Sequence, residues 1–257
     1  MLIAQITDLH IGAPGEILFG GYEPAGAVAA VVARLNALDP RPDLVLLTGD
    51  VTGNRTAEAC AQARDLLAPL ELPMAAIPGN HDERRLFRET MLDLGARVGD
   101  GEFLQLDFTA GPLRILGLDT VNGVLPPGGS LCDRRLDWIA ARLDEDTDRP
   151  TLIAMHHPPF ATGIGGMDRI GCANGDALAA LVRRRSNIRR VLCGHVHRAV
   201  TADWAGTTAT ICPAVAWEIR LDLHEDAPPV LQPQAPGFQL HRVAPDGRLL
   251  THTIFMT

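Results

Sequence analysis

The sequence predicts an α/β protein. At the start of the chain, short apolar runs of strand length alternate with amphipathic helical patterns. This order is typical of parallel strands joined by crossover helices. The C-terminal part has strand-like runs and turns but no helical pattern, which indicates an antiparallel section. No internal repeat stands out.

The predicted strands are short apolar segments along the whole chain. They cover residues 2–6, 43–47, 74–77, 103–108, 113–118, 151–155, 188–193, 207–212, 238–243 and 248–255.

Helical patterns fill the intervals between the early strands. Residues 24–38 begin with Pro24, which suits a first helical turn, and repeat apolar side chains on one face. Residues 56–70 show the same periodicity. Asp133 and Asp176 each precede a later apolar pattern and are predicted N-caps.

Length and composition are those of a globular protein. The 257 residues suffice for one large domain or two small ones, and 46% hydrophobic with 21% charged residues excludes a disordered or fibrous chain. No apolar run approaches the roughly 18 residues that a membrane span needs. The first ten residues lack the basic start of a signal peptide and include Asp8. We therefore expect a cytoplasmic protein without a membrane partner.

The charge balance disfavours a long nucleic acid as partner. The chain carries 23 basic and 31 acidic side chains, a net charge of −8, which repels a phosphate backbone. A dense basic run, with arginines at 183, 184, 185, 189 and 190, follows a helical pattern and is predicted to be a solvated helix end. The five cysteines form no C-x-x-C pair, so we expect free thiols.

We expect one domain over residues 1–257, because no linker-like stretch divides the chain. Residues 213–237 interrupt the strand pattern with a segment rich in proline, alanine and charge. Long segments of this kind are usually functional or mobile. We predict that this one forms a lid or contacts a partner.

Polar side chains that commonly bind metals follow one predicted strand after another. They are Asp8 and His10, Asp50, Asn80 and His81, His156 and His157, and His195 and His197. Ligands of open α/β sheets bind at the carboxyl ends of the strands, so we expect these five segments at one rim. An extended backbone would point both members of each i, i+2 pair to the same side.

The donor types favour a pair of metal ions. Two Asp, one Asn and four His without a thiolate suit Mn, Fe, Zn or Co better than Cu(I) or an iron–sulfur cluster. Seven donors exceed one tetrahedral zinc site, but they fit two ions that share a bridging carboxylate. Two ions about 3.5–4 Å apart can generate a hydroxide and stabilise an in-line displacement at phosphorus.

Each position also has a simpler interpretation. Asp50 and Asn80 follow glycines and suit turns, and His195 and His197 would suit a strand surface. Turns alone explain poorly why such residues occur at five strand ends. The joint pattern therefore favours the metal site.

Five short motifs occur in a fixed order along the chain. They are D-x-H at 8–10, G-D at 49–50, G-N-H-D at 79–82, H-H-P-P at 156–159 and G-H-x-H at 194–197. In order and spacing they resemble the calcineurin-like metallophosphoesterase signature. The resemblance covers residues 1 to about 200 and is strongest to the bacterial class III cyclic-nucleotide phosphodiesterases and the glycerophosphodiesterases.

This resemblance implies a fold and a set of residue roles. The fold is a four-layer α/β/β/α sandwich of two mixed sheets flanked by helices. The implied ligands are Asp8, His10 and His197 for the first metal, Asn80, His156 and His195 for the second, and Asp50 as the bridge. His81 would face the phosphate and help the leaving group. A homodimer or higher homo-oligomer is also implied.

The implied function is that of a binuclear metal-dependent phosphodiesterase. It would hydrolyse small phosphodiesters, either cyclic nucleotides or glycerophosphodiesters, by a metal-bridging hydroxide. A phosphomonoesterase or a nuclease on the same fold is an alternative, although the acidic chain shows no DNA-binding extension. A non-catalytic metal-binding scaffold is a third, although such relatives lose ligands and this chain keeps all seven.

Two places depart from patterns in related families. Phosphoprotein phosphatases carry G-D-x-x-D-R-G, in which the second Asp pairs with the motif histidine and the Arg binds a dianionic phosphate. Here Gly53 and Asn54 stand at those positions and Arg55 follows one place later. The missing arginine favours diesters over monoesters. Trp217 stands near a position at which glycerophosphodiesterases carry a histidine.

Several other residues receive structural roles. We predict that His157 orients its loop, that Asp82 caps the following helix and that Asp119 is not a ligand. The remaining histidines, expected on the surface or in the core, are His224, His241 and His252. Aromatic residues that could line a pocket or belong to the core are Phe19, Tyr22, Phe160, Trp204 and Trp217.

Overall fold

Helices and strands alternate through most of the chain. The computed structural model describes residues 1–19, 21–123, 128–244 and 246–256. In these ranges the helices are Ala25–Asn36 (α1), Ala57–Leu67 (α2), Arg84–Asp93 (α3), Asp133–Glu145 (α4), Gly165–Asp168 (α5) and Gly175–Val182 (α6).

The strands are mostly short. Over the same ranges they are Leu2–Ile6 (β1), Leu44–Thr48 (β2), Met74–Ile77 (β3), Leu106–Ala110 (β4), Leu113–Leu118 (β5), Gly129–Ser130 (β6), Thr151–Met155 (β7), Cys172–Ala173 (β8), Ile188–Cys193 (β9), Val200–Trp204 (β10), Thr207–Ile211 (β11), Glu218–Ile219 (β12), Leu231–Gln232 (β13), Gly237–Val243 (β14) and Leu249–Phe255 (β15).

Two mixed sheets form the centre of the fold. The first has the order β15-β14-β1-β2-β3 and the second the order β10-β11-β9-β7-β5-β4. Strands β1, β2 and β3 are parallel, whereas β14 and β15 add antiparallel strands at one side. The antiparallel section predicted for the C-terminal part is therefore confirmed.

Strand alternation builds four layers. In β2, Leu44 and Leu46 face the second sheet, whereas Val45 and Leu47 join the core beneath α1 and α2. In β5, Ile115 packs between the sheets, whereas the core beneath α4 and α6 contains other side chains of the same strand. Strands β2 and β5 thus bury both of their faces, because successive side chains alternate. The predicted α/β/β/α sandwich of two mixed sheets is confirmed.

The structure corrects some element boundaries. β4 begins at Leu106 rather than Phe103, because the Leu104 backbone N–H donates to Asp119 Oδ2 instead of pairing with a strand. Asp133 is the first residue of α4 and Cys132 holds the N-cap position. Asp176 lies inside α6, which begins after Asn174 turns the chain with a left-handed backbone.

Residues 213–237 contain a small two-stranded ribbon, β12 paired with β13. The segment starts against the first sheet, where the Val215 and Ala216 N–H groups donate to the carbonyls of Thr7 and Asp8. It returns at Gly237, whose N–H donates to the Ala214 carbonyl. No helix in the described ranges has the length and apolar content that crossing a membrane requires.

A buried polar bridge joins the two sheets. His241 on β14 is fully buried, and its Nε2–H donates to Gln5 Oε1 at 3.0 Å. Gln5 in turn donates from Nε2 to Thr48 Oγ1 at 2.9 Å and to the Cys193 carbonyl at 3.0 Å. Burial, with the Arg190 charge nearby, lowers the pKa of His241 to about 3. The His241 imidazole in the bridge is therefore neutral at pH 7.

We expect His241 to make the free energy of unfolding depend on pH. Between the unfolded pKa of 6.5 and the folded value of about 3, only the unfolded chain binds the extra proton, so stability falls as pH falls. The His241→Gln variant lacks this group. The variant should have a lower free energy of unfolding than the wild-type protein at pH 7. That difference should shrink by up to about 2.5 kcal/mol at pH 4.5, because only the wild-type protein loses stability through His241.

Denaturant titrations at both pH values measure this difference. The matched control is His252→Gln, because His252 is exposed on the neighbouring strand. A deficit of the His241 variant that stays constant with pH would contradict a neutral buried imidazole.

Candidate metal centre

The predicted site residues lie together beyond the carboxyl ends of the parallel strands. Asp8 and His10 follow β1, and Asp50 follows β2. His156 follows β7 in the other sheet, and His195 follows β9. The His195 backbone N–H donates to Asp8 Oδ2 at 3.0 Å, which joins the strand ends of the two sheets directly.

Strained backbone turns aim these side chains into the site. The φ angles are +54° at Asp8, +46° at His10 and +52° at Asp50. His195 and His197 also have positive φ, at +71° and +59°. Non-glycine residues rarely adopt this region, and such strain concentrates at functional sites. The extended backbone expected for the two i, i+2 pairs is wrong, and left-handed turns bring their side chains together instead.

One group of donors consists of Asp8, His10 and His197. Their ligand atoms all lie within 4.8 Å of one another, and all three residues are buried. The Nε2 atoms of His10 and His197 are 3.0 Å apart, and His197 Nε2 lies 3.3 Å from Asp8 Oδ1. These atoms lie close enough together to bind one metal ion.

One carboxylate oxygen of Asp50 lies between the first group of donors and a second group, which contains His156. Its Oδ2 lies 3.6 Å from His10 Nε2 and 3.3 Å from His156 Nε2. Its other oxygen, Oδ1, accepts a hydrogen bond of 2.7 Å from the His81 backbone N–H. This second contact fixes the carboxylate so that Oδ2 points between the two histidines.

The second half of the site contains Asn80, His156 and His195. The ring centroids of His156 and His195 are 5.2 Å apart. Asn80 lines the same cavity as His195. Asn80 Oδ1 is buried and has no hydrogen-bond partner among the described residues. An unpaired buried amide oxygen is costly unless a ligand completes it.

Backbone carbonyls orient the imidazole rings. His156 Nδ1–H donates to the Thr48 carbonyl at 2.7 Å, and His197 Nδ1–H donates to the Trp217 carbonyl at 2.9 Å. Nε2 of each ring is thereby left to face the carboxylates. His195 donates from Nε2 to the Ile170 carbonyl at 3.0 Å, which leaves its Nδ1 available. Such outer hydrogen bonds select the tautomer of metal-binding histidines.

His81 has an orienting acceptor that the sequence does not reveal. Gly53 replaces the expected carboxylate, but its backbone carbonyl accepts a 3.0 Å hydrogen bond from His81 Nδ1–H. The ring therefore has a defined orientation, with Nε2 directed away from this carbonyl. His81 also lines the cavity above Asp50 and Asn80.

The carboxylates and imidazoles of the site shift one another's pKa values. Burial alone would raise the pKa of Asp8, but the nearby His197 and His156 outweigh it and lower that pKa to about 2. Asp50 also has a lowered pKa, because His156 and His81 outweigh its burial. His156 is the counterpart: burial opposes its charge, but Asp50 raises its pKa to about 9.

Two other imidazoles are held neutral. Burial lowers the pKa of His195 to about 3, and the His156 charge acts in the same direction. Burial likewise lowers the pKa of His10 well below its ordinary value. Metal ligands require ionised carboxylates and neutral imidazoles. Asp8, Asp50, His10 and His195 are in those states, whereas the neighbouring carboxylates raise the pKa of His156 and His197 despite their burial. The donor set, together with the unpaired Asn80 oxygen, fits divalent cations.

Comparison with known proteins identifies the family. Residues 1–199 match the family model described as calcineurin-like phosphoesterase. This chain belongs to the calcineurin-like phosphoesterase family. The resemblance deduced from the five motifs is thereby confirmed.

Relatives of this phosphoesterase are phosphodiesterases by name. A glycerophosphodiester phosphodiesterase of Enterobacter lignolyticus is 33% identical over 94% of this chain and 87% of its own length. A 3′,5′-cyclic adenosine monophosphate phosphodiesterase of Pseudomonas aeruginosa is 30% identical over 98% and 88% of the two chains. A dimetal phosphatase from Danio rerio has the same fold, with a TM-score of 0.66 at 16% identity over 100% and 99% of the chains.

Asp82 braces the loops of the phosphoesterase site instead of capping α3. The N-cap of α3 is Glu83, whose carboxylate accepts from the Arg85 and Leu86 N–H groups. Asp82 is buried and accepts from the backbone N–H groups of Val51, Thr52 and Gly79. Burial and the neighbouring Asp50 raise its pKa to about 6. The predicted cap is wrong because these buried N–H groups would otherwise be unpaired.

Gly79 allows the Asp50 and Asn80 loops to approach closely. A Cβ atom at Gly79 would collide with Asp50 Oδ1 and would lie 2.8 Å from the carboxylate carbon of Asp50. The G-N-H-D motif thus needs glycine for space beside the carboxylate that faces both halves of the site.

The remaining predicted roles divide between site and core. Phe19 and Trp217 line the cavity, and Trp217 stacks on His10 with ring centroids 4.7 Å apart. Phe160 and Trp204 instead pack against the core of the second sheet. Tyr22 does not line the cavity, but its ring centroid lies 5.2 Å from that of Trp217.

His157 and Asp119 support neighbouring loops. His157 Nδ1 lies 2.7 Å from Thr120 Oγ1, and its ligand atom also falls within 4.8 Å of those of His156 and His195. Asp119 accepts hydrogen bonds from Arg84 and from backbone N–H groups. These contacts give Asp119 a structural role, and its absence from the metal ligands stays a prediction.

We expect adjacent acidic residues to differ sharply in their effect on stability. Asp82→Ala leaves three buried N–H groups without an acceptor and should lower the free energy of unfolding by at least about 2 kcal/mol. Glu83→Ala removes a half-buried helix cap and should cost about 1 kcal/mol. Denaturant unfolding of both variants measures the difference. Equal losses would contradict the bracing role of Asp82.

Proposed function

We propose that this protein is a binuclear metal-dependent phosphodiesterase of small phosphodiesters. The observation that carries the proposal is the position of Asp50 Oδ2, within 3.6 Å of a donor nitrogen in each half of the site. A carboxylate oxygen between two donor groups suits a ligand shared by two cations. The names of the relatives support the reaction class.

Each cation would have its own set of ligands. Asp8, His10 and His197 would bind the first ion, Asn80, His156 and His195 the second, and Asp50 both. The donors suit Mn, Fe, Zn or Co. When bound, such a pair activates water as a nucleophile and neutralises charge on the phosphate.

His81 is placed to assist the leaving group. Its Nδ1–H is engaged by the Gly53 carbonyl, so a proton for the substrate must come from Nε2. A protonated His81 would donate that proton to the departing ester oxygen and deliver it as an alcohol. The backbone carbonyl holds the ring in place during this transfer.

The charges around the cavity favour diesters. Among the described residues that line it there is no arginine or lysine. Arg55 donates from Nε to the Asn80 carbonyl at 3.1 Å, and its Nη2 donates to the same oxygen. No guanidinium among the cavity-lining residues is therefore available to bind the second charge of a monoester.

The substrate classes follow the relatives: cyclic nucleotides or glycerophosphodiesters. An acidic chain offers little attraction for long nucleic acid. We further propose one domain, a cytoplasmic location and a homodimer or higher oligomer. The ribbon in residues 213–237 supports the lid role proposed for that segment, because Trp217, Ile219 and Leu231 line the cavity.

The direct test compares a diester with a monoester of the same leaving group. With one metal and one pH, kcat/KM for bis(4-nitrophenyl) phosphate should exceed that for 4-nitrophenyl phosphate by at least about tenfold, or 1.4 kcal/mol. A monoester advantage of that size would contradict the proposal. Arg55→Ala would then show whether that guanidinium turns inward.

Removal of the shared carboxylate should empty both metal positions. We expect Asp50→Ala and Asp50→Asn to lose activity and to bind well under one ion per chain by elemental analysis. Asn80→Ala is the matched variant and should lose mainly one ion, because its amide belongs to one half. The Asn substitution keeps an acceptor for the His81 N–H, which separates metal loss from loop disorder. Retention of two ions by both Asp50 variants would refute the shared ligand.

His81 should matter most for poor leaving groups. A general acid contributes typically about 10²–10⁴-fold, and nitrophenolate leaves without a proton. His81→Ala should therefore lower kcat for alkyl diesters far more than for bis(4-nitrophenyl) phosphate. His224→Ala, at an exposed position, is the control. Equal losses on both substrates would make His81 a stabiliser of charge and not a proton donor.

A further inference from the structure

Three of the four imidazoles in the predicted ligand set are held by backbone carbonyls, and the fourth is not. His156, His195 and His197 each donate from one ring nitrogen to a carbonyl oxygen. Nδ1 of His10 is buried and has no hydrogen-bond partner among the described residues. A hydrogen bond to the outer nitrogen normally fixes the ring orientation of a metal-binding histidine. Other contacts must therefore hold the His10 ring.

Aromatic rings surround His10. The Trp217 indole stacks on it, with ring centroids 4.7 Å apart and an angle of 28° between the planes. Phe19 and His81 lie nearly perpendicular to the His10 ring, at 74° and 75°, with centroids 5.3 and 4.9 Å away. Stacking is a favourable arrangement of two rings and restricts the plane of each. The indole thus covers a face of His10 while the other two rings enclose it.

The Trp217 indole is itself fixed by packing. The residue is 1% exposed, and its Nε1–H has no hydrogen-bond partner among the described residues. Ring contacts with Phe19 at 4.9 Å and Tyr22 at 5.2 Å hold it on the side of the chain that precedes α1. The place of the indole therefore depends on the path of residues 213–237 and not on a polar anchor of its own.

This short stretch contacts all three predicted ligands of the first ion. The Ala216 N–H donates to the Asp8 carbonyl at 3.3 Å. The Trp217 carbonyl accepts from His197 Nδ1–H at 2.9 Å, and the Trp217 indole stacks on His10. Two consecutive residues of the segment thus support one complete half of the centre.

The second half has its support elsewhere. His156 and His195 donate to the carbonyls of Thr48 and Ile170. Both acceptors lie outside residues 213–237. A change at Trp217 should therefore affect one of the two ions more than the other.

We propose that Trp217 is a positioning residue for the first cation, and that binding of this cation is coupled to docking of residues 213–237 against the site. This inference rests on the proposed two-ion phosphodiesterase function. The indole holds the His10 ring where its Nε2 lies 3.0 Å from His197 Nε2. If the segment undocks, the three predicted ligands of the first ion lose their outer contacts together. Linked equilibria are reciprocal, so the ion stabilises the docked segment by the same free energy.

Measurements of Mn²⁺ binding by equilibrium dialysis test the positioning role. In Trp217→Leu, one of the two dissociation constants should rise about 10–100-fold, the usual contribution of partners that orient metal ligands. Trp217→Phe keeps an aromatic face beside His10 and should stay within about threefold of the wild-type constants. Equal losses in the two variants, or no loss in Trp217→Leu, would overturn the inference.

Trp204→Leu is the matched control. Trp204 pairs with Thr207 at the start of β11, and β11 runs parallel to β9. Trp204 therefore lies at the end of the sheet opposite the carboxyl ends that carry the metal centre. The same substitution there should leave both dissociation constants unchanged. A loss of Mn²⁺ affinity equal to that of Trp217→Leu would make the effect one of general stability and would overturn the positioning role.

A double variant identifies the ion that Trp217 supports. Asn80→Ala should weaken mainly the second ion, so its combination with Trp217→Leu should weaken both. At a Mn²⁺ concentration at which each single variant keeps one ion, the double variant should bind well under one ion per chain. A double variant that keeps one ion would place the effect of Trp217 on the second half and overturn the inference.

Hydrogen exchange of the wild-type protein tests the coupling without any substitution. Saturation with Mn²⁺ should slow amide exchange of residues 213–219 about fivefold or more, the lower end of typical couplings between sites. Strand β4, at an edge of the second sheet, is the reference segment and should show no comparable change. Unchanged exchange of residues 213–219 in the Mn²⁺-bound protein would overturn the coupling.

The wild-type protein distinguishes failure of the proposed function from failure of this inference. Fewer than two Mn²⁺ ions per chain, or no hydrolysis of bis(4-nitrophenyl) phosphate, would refute the proposed function and this inference with it. Two ions and diesterase activity, together with unchanged Mn²⁺ affinity in Trp217→Leu, would refute only the role of Trp217.

Discussion

The Asp50 carboxylate is the constraint on which the site depends. It is buried at the junction of the two sheets, and one of its oxygens faces donor nitrogens from both. A buried carboxylate is stable only with charged or hydrogen-bonding partners. His156 and the His81 N–H supply these partners from separate strand ends. The requirement to satisfy this one group therefore couples the geometry of both sheets.

Backbone, more than side chains, holds the donors in place. Left-handed turns at Asp8, Asp50 and His195 redirect the chain as it leaves each strand. Carbonyl oxygens then orient the imidazoles of His156 and His197. Because these acceptors belong to the main chain, they cannot be lost by a side-chain substitution alone. The strain is sustained by buried hydrogen bonds, those to Asp82 among them.

The sequence predicted the alternation of strands and helices and the polar residues of the site for clear physical reasons, whereas the four layers followed only from the family resemblance. Apolar runs of strand length report the strands, and Asp, Asn and His after such runs report the rim where parallel strands end. It did not predict the Gly53 carbonyl beside His81 or the bridge from Gln5 to His241. Backbone acceptors carry no residue signature, and His241 meets Gln5 only through pairing of β1 with β14.

The cavity lining that residues 213–237 supply was also out of reach of sequence patterns. Ile219 and Leu231 are separated along the chain and meet only in the ribbon. Trp217 was one of several aromatic residues that suited either core or pocket, and its contact with His10 depends on the path of residues 213–237. Short-range periodicity cannot report such a path, because it is set by hydrogen bonds to β1 and by packing against α5.

Anomalous diffraction from crystals grown with Mn²⁺ tests the central claim most directly. The account predicts two anomalous peaks, one on each side of Asp50 Oδ2. Asp8, His10 and His197 should contact one ion, and Asn80, His156 and His195 the other. A single peak, or two ions of which only one contacts Asp50, would contradict a centre built on one shared carboxylate.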